Sequence, residues 1–303
     1  MANPAAAPGL RDRAGWLRRD AERISGTLPP LLVEADRLAA GLVTGVHGRR
    51  RAGTGETFWQ YRAAHPGDPF SLIDWRRSAR SDRLYVREME WEAAETVLVW
   101  CDRSMSMDFC SNLAPRSKAE RAALLTLALG VLLARGDERF GLVATEAEVP
   151  RTGERQLMRW AGILGTAPDA APDFGAPPPI AMPKVGRVVF LSDFMGPRDA
   201  VFPALTAAAG QGIAGVYVQI LDPVEEEFPY AGRTRFESVG RLVRHETDQA
   251  ASLRDAYLER LAERRDDLAR VARRSGWQLI LHRTDESPRK ALLQLYAALG
   301  GVR

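Results

Sequence analysis

Residues 97–107 read Val-Leu-Val-Trp-Cys-Asp-Arg-Ser-Met-Ser-Met, and the fold turns on this stretch. Val97 to Cys101 is apolar throughout, the pattern of a central parallel strand covered on both faces. It runs directly into Asp102, Ser104 and Ser106, three small oxygen donors at alternate positions. In extended backbone that spacing turns alternate side chains the same way, so a carboxylate and two hydroxyls can meet at one point. Oxygen donors without His or Cys suit Mg²⁺, Mn²⁺ or Ca²⁺ rather than zinc. The end of a strand is also where open α/β sheets bind their ligands.

Taken alone, Asp102 could cap a turn and the serines the helix that follows. A second segment, Arg187 to Phe194, reads Arg-Val-Val-Phe-Leu-Ser-Asp-Phe and ends another apolar strand in Asp193. Two buried strands each delivering an Asp to one edge are hard to explain as capping. The reading requires the two carboxyl groups to face each other with no basic side chain filling the gap.

Asp-Arg-Ser-Met-Ser-Met after one apolar strand and Val-Val-Phe-Leu-Ser-Asp-Phe after a later one resemble a von Willebrand factor A domain with its metal-ion-dependent adhesion site. Upstream, Gly55 to Arg80, Gly-Glu-Thr-Phe-Trp-Gln-Tyr-Arg-Ala-Ala-His-Pro-Gly-Asp-Pro-Phe-Ser-Leu-Ile-Asp-Trp-Arg-Arg-Ser-Ala-Arg, resembles the signature of the bacterial DUF58 family, which carries such a domain. The resemblance implies a metal site of Asp102, Ser104, Ser106 and Asp193, completed by a threonine. Thr152 stands at about the expected place and could equally cap a helix, with Thr145 a weaker candidate. It also implies that a partner's Asp or Glu completes the ion's coordination, and that the partner is a MoxR-type AAA+ ATPase in a chaperone-like assembly.

The chain has 303 residues, 46% hydrophobic and 27% charged, as ordinary globular proteins do. Its formal charge of +3 is uneven, with 15 Lys and Arg against 11 Asp and Glu in residues 1–90. That excess is too small and too interspersed with acids to argue for nucleic acid. Cys101 and Cys110 do not make a disulfide framework. No apolar run is long enough to span a bilayer and no leader pattern opens the chain, so the expected location is cytoplasmic.

The expected fold is α/β, a doubly wound and mostly parallel sheet like that of a von Willebrand factor A domain, with a helical and β amino-terminal extension. Residues 1–44 form a tail and helices, including Leu31 to Leu42. Residues 45–94 form a segment packing on the main domain, and residues 95–303 form that domain. A hairpin insertion is expected near residues 225–246, and the Pro-, Ala- and Gly-rich stretch Thr166 to Pro183 reads as a long surface loop. Arg76, Arg77 and Arg80 lie among Asp74 and Asp82. They are read chiefly as internal staples to carboxylates and otherwise as partner contacts.

These readings favour a non-enzymatic, metal-dependent interaction module or adaptor. None of the four His (His47, His65, His245, His282) is near the site in sequence, and no Ser-His-Asp pattern is recognisable. The alternatives are a metal-assisted phosphohydrolase and nucleic-acid binding through the arginine-rich segment.

Overall fold

A computed structural model describes residues 30–42, 52–53, 57–81, 83–90, 96–143, 149–168, 170–179, 186–237 and 244–300. The chain divides into two compact units, Val43–Glu95 and the remainder.

The larger unit is a mixed α/β fold. Its sheet contains β4 (Thr96–Cys101), β5 (Arg139–Leu142), β6 (Arg187–Ser192), β7 (Ala214–Leu221) and β10 (Gln278–Arg283), in the order β10-β7-β6-β4-β5. Every pair is parallel. Parallel neighbours need crossovers, which helices supply. These are α3 (Lys118–Arg135), α4 (Glu154–Leu164), α5 (Arg198–Ala209), α6 (Pro223–Glu227) and α7 (Arg254–Ser275), with α8 (Pro288–Gly300) last and α1 (Pro30–Ala40) packed against α3.

Strand alternation divides the core in two. Val97, Val99 and Cys101 face a cluster with α1, α3, α4 and α8, while Leu98 and Trp100 face α5 and α7. The uniformly apolar strands follow from this two-sided cover. Helix α3 is buried from Lys118 to Leu133 on nearly every side, as a helix between sheet and outer helices must be. Ser117 and Glu120 close a capping box at its start, which fixes where Lys118 points.

Beyond β7, Asp222-Pro223 opens α6 rather than a loop, so the expected insertion at residues 225–246 begins as helix. The hairpin is β8 (Thr234–Glu237) paired with β9 (Arg244–Thr247); residues 238–243 lie outside the described residues. Helix α7 starts at Arg254, after a 3-10 turn over Ala250–Leu253. In the smaller unit, β1 (Ala52–Gly53), β2 (Thr57–Ala63) and β3 (Tyr85–Glu90) form an antiparallel sheet in the order β1-β3-β2, with the single-turn helix α2 (Trp75–Ser78) between β2 and β3. Among the described residues no helix is long and apolar enough to cross a membrane.

His282, near the end of β10, is 3% exposed, and burial beside the Arg121 guanidinium lowers its pKa from 6.5 to about 4. Arg121 is fixed by donating to the carbonyls of Thr284 and Glu286 at 2.7 and 2.8 Å. The unfolded chain takes up this proton before the folded one, so stability falls as pH drops from 6.5 towards 4, by up to about 3 kcal/mol. Urea titrations across that range should show the slope in the native sequence, and His282→Gln should flatten it whatever its own baseline.

Candidate metal centre

Cys101 pairs with Leu191 across β4 and β6, so the two strands end side by side and the Asp102 N–H donates to the Leu191 carbonyl at 2.9 Å. Asp102 and Asp193 therefore leave the same sheet edge. The Asp102 carboxylate accepts from the Ser104 N–H at 2.9 Å and from the Ser192 hydroxyl at 2.6 Å. The hydroxyls of Ser104 and Ser106 stand 3.2 Å apart, and that of Ser106 donates to Asp193 Oδ2 at 2.9 Å. A continuous hydrogen-bonded path thus joins the two aspartates through the serines. Ser104 stands at the start of the 3-10 turn Met105–Asp108, but its side chain makes no capping bond there.

One cation is built in. Lys118 Nζ, 1% exposed, donates to Asp193 Oδ2 at 2.8 Å and to Glu225 Oε1 at 2.6 Å. The requirement that no basic group stand between the carboxyls is therefore only half met, since Lys118 reaches the same Asp193 oxygen as Ser106 while Asp102 is held by Ser104 and Ser192. Glu225 is itself positioned by α6, where Asp222 accepts from the Val224 N–H and Glu225 Oε2 accepts from the Asp222 N–H. A second Asp222 oxygen accepts from the Ser111 N–H at 2.9 Å. Three neighbouring strands, β4, β6 and β7, thus end in acids that organise one edge.

Burial and the neighbouring charge of Asp193 push the Asp102 carboxyl above its ordinary range. Burial also presses on Asp193, but the Lys118 ammonium outweighs it and holds this group low. Glu225 is raised by burial despite Lys118. Burial works against the charge on Lys118, yet Asp193 and Glu225 together raise its pKa. If all three acids ionise, one ammonium leaves two negative charges unmatched in a site where Asp102 and Asp193 are 2% and 1% exposed. That balance, with two hydroxyls alongside, fits a divalent ion bound by hard oxygens. Among the described residues no three His, Cys, Asp or Glu form a metal-ligand group, so the serines are essential to such a set.

The loop at residues 170–179 covers the edge. The carbonyls of Pro172 and Asp173 accept from the N–H groups of Met105 and Ser106 at 2.9 and 2.8 Å. A Cβ at Gly175 would lie 2.2 Å from Asp102 Oδ1, so only glycine permits this approach. Asp102 and Ser104 lie buried, and Ser106 is half-buried.

Thr152 is not brought to this site. Arg151 bridges Phe140, which lies opposite Val97, about 15 Å along the strands from Asp102, and the antiparallel run carries Thr152 farther away. The cap of α4 is Gly153, so Thr152 does not fill that role either. Thr145 lies outside the described residues. Arg76 and Arg77 sit on α2 and Arg80 just beyond it, all exposed. Among the described residues they form no salt bridge, whereas Arg62 pairs with Asp68 at 2.7 Å. Lys118 and Glu225 escaped the sequence reading; the Asp-Pro-Val-Glu capping pattern at 222–225 was the available signal for the latter.

The family model described as a protein of unknown function, DUF58, matches residues 60–267. The chain belongs to the DUF58 family. Uncharacterized proteins of Mycobacterium tuberculosis and Mycobacterium bovis are each 27% identical to it over 293 residues, covering 92% of this chain and 91% of theirs. A third, from Mycobacterium avium, is 32% identical over 100 residues, 33% of this chain and 58% of that protein. The crystal structure of the conserved hypothetical protein BatB from Bacteroides thetaiotaomicron aligns over 69% of this DUF58 chain and all of its own, with 13% identity and a TM-score of 0.33. A likeness of that size decides nothing about fold or function.

Lys118→Met should strand the buried Asp193 carboxylate and the half-buried Glu225 beside it, and lower unfolding stability by about 3 kcal/mol, read from urea midpoints. Gly175→Ala should cost about 1–3 kcal/mol, because the carboxylate it meets is held by Ser104 and Ser192 and cannot swing aside. Faster proteolysis of the Pro172–Gly175 segment in the variant would mark the displaced loop.

Proposed function

We propose that this DUF58 protein is a divalent-cation-dependent interaction module, an adaptor rather than an enzyme, with its sheet edge arranged in the von Willebrand factor A manner. The observation that carries the reading is the path from Asp102 to the Ser104 backbone N–H, and from the Ser104 hydroxyl through that of Ser106 to Asp193. Those four side chains would hold the ion, with Asp193 sharing its charge with Lys118. Mg²⁺ is the first choice for such a set, with Mn²⁺ and Ca²⁺ as alternatives. A bound ion would supply an electron-poor centre able to accept a carboxylate from a partner protein. Ser106, the half-buried member, marks the side from which that carboxylate would come. The partner we propose is a MoxR-type AAA+ ATPase, on family resemblance alone.

Metal-assisted phosphoryl transfer is the less favoured reading. It usually employs a second acid beside the first. Here the position two residues after Asp102 is Ser104, and Asp193 and Glu225 are engaged by Lys118.

Calorimetry should show Mg²⁺ and Mn²⁺ binding to the native chain and at least tenfold weaker binding to Asp102→Ala and Asp102→Asn. Thermal melting of Asp102→Asn should stay near that of the native protein, since this swap keeps the side chain's shape and removes a charge that burial and Asp193 disfavour. Equal affinities in all three proteins would remove the metal centre. Co-elution with a purified MoxR-type ATPase should be lost in chelator. Mg²⁺-dependent phosphoester turnover that Asp102→Ala abolishes would replace the adaptor with the hydrolase.

A further inference from the structure

The unit Val43–Glu95 holds a concavity of about 520 Å³, lined by Arg76, Arg77 and Arg80 together with Tyr61, Tyr85 and Ser81. The one acid in its wall, Asp74, is already engaged: its oxygens accept from the Tyr61 hydroxyl at 3.1 Å and from the Arg77 N–H at 2.9 Å. Arg77 lies over both tyrosine rings, 4.4 Å from the centre of Tyr61 and 5.1 Å from that of Tyr85. That stacking orients its guanidinium without neutralising it. Arg76 and Arg80 have no carboxylate partner among the described residues and are exposed. Large apolar side chains of the same unit stand in solvent: Trp75 is 57% exposed, Phe70 74% and Leu84 44%. Trp75 immediately precedes Arg76, and Leu84 immediately precedes Tyr85.

We infer that this concavity is a docking site for an acidic peptide segment of a partner protein, its carboxylates received by Arg76, Arg77 and Arg80 and its apolar residues by Trp75 and Leu84. Charge complementarity selects the occupant: three guanidiniums face one satisfied acid, and the planar fork of arginine matches carboxylates in pairs. Exposed Trp and Arg are the composition of protein-interface anchors. Single-stranded nucleic acid would need open ring faces for stacking, and Arg77 already covers Tyr61 and Tyr85. The surface lies within Val43–Glu95 and needs no metal, so it stands or falls apart from the adhesion centre.

The test is fluorescence anisotropy of a labelled peptide alternating Glu and Leu, titrated with the full chain in excess chelator. Saturable binding is expected, weakened about tenfold by Arg76→Glu or by Arg80→Glu. Trp75→Ala should weaken it as well, and a peptide with Gln in place of Glu should not bind. Arg76→Gln and Arg80→Gln, with melting curves like the native one, provide the same reading without charge reversal. Binding indifferent to these arginines, or to the change from Glu to Gln, would overturn the proposal. So would displacement of the peptide by single-stranded DNA at lower concentration than by unlabelled peptide. Equal metal affinity in Asp102→Asn and the native chain, with peptide binding intact, would refute only the cation centre.

Discussion

The ion pair network of Lys118 with Asp193 and Glu225 is the constraint on which the sheet edge depends. Removing three charged groups from water is costly, and the cost is offset only when geometry and hydrogen bonding are good. Here both contacts of the ammonium are short, at 2.8 and 2.6 Å, and each carboxylate has further donors. Asp193 also accepts from Ser106 and from the Met195 N–H, and Glu225 from the Asp222 N–H. One cation thereby ties the start of α3, the end of β6 and the first turn of α6 to a single point. The capping box of Ser117 and Glu120 locks the first of these, and that of Asp222 and Glu225 locks the last.

With that edge fixed, the chemistry of β4 follows. Asp102 sits one strand away from Asp193 and has no cation of its own among its hydrogen-bond partners; Ser104 and Ser192 hold it instead. Its carboxyl is raised by burial and by the charge of Asp193. A buried acid in this position is relieved by a proton or by a metal ion, and on the proposed reading the two hydroxyls beside it would serve as ligands without adding charge. The cover over residues 102–106 is made with backbone carbonyls of Pro172 and Asp173 and with a glycine that leaves room for the carboxylate.

The strands were legible in the sequence because a parallel strand covered on both faces must be apolar at every position, as 97–101 and 188–191 are. Asp102 and Asp193 were legible because parallel strands deliver their ends to the same edge. Lys118 was not, since its partners lie 75 and 107 residues away and its sequence context is an ordinary helix start. The stretch Thr166 to Pro183 carries no period to read, so its role as a cover over Asp102 emerges only from tertiary contact. Thr152 misled because distance along the chain from a strand says nothing about which end of that strand the loop returns to. The single bridge of Arg151 to Phe140 decides that. The arginines of 76–80 misled differently: neighbouring acids suggested staples, but Asp74 is taken by a backbone N–H and by Tyr61, and Arg77 turns to aromatic rings.

A formal charge of +3 hides two opposite local imbalances. At the sheet edge, the buried Asp102 and Asp193 and the half-buried Glu225 are accompanied by one ammonium; in Val43–Glu95, three exposed guanidiniums line a hollow whose one acid is engaged. The first imbalance lies in a low-dielectric setting, where an unmatched charge is expensive and a small cation close to it is worth far more than in water. The second lies in solvent, where each arginine is hydrated and attraction is screened beyond about 8 Å. The two should therefore differ in character. Metal binding at the edge would be short-ranged and only weakly affected by added salt, whereas any acidic segment received by the arginines must rely on close bidentate contact and apolar anchors, because long-range attraction alone would not hold it.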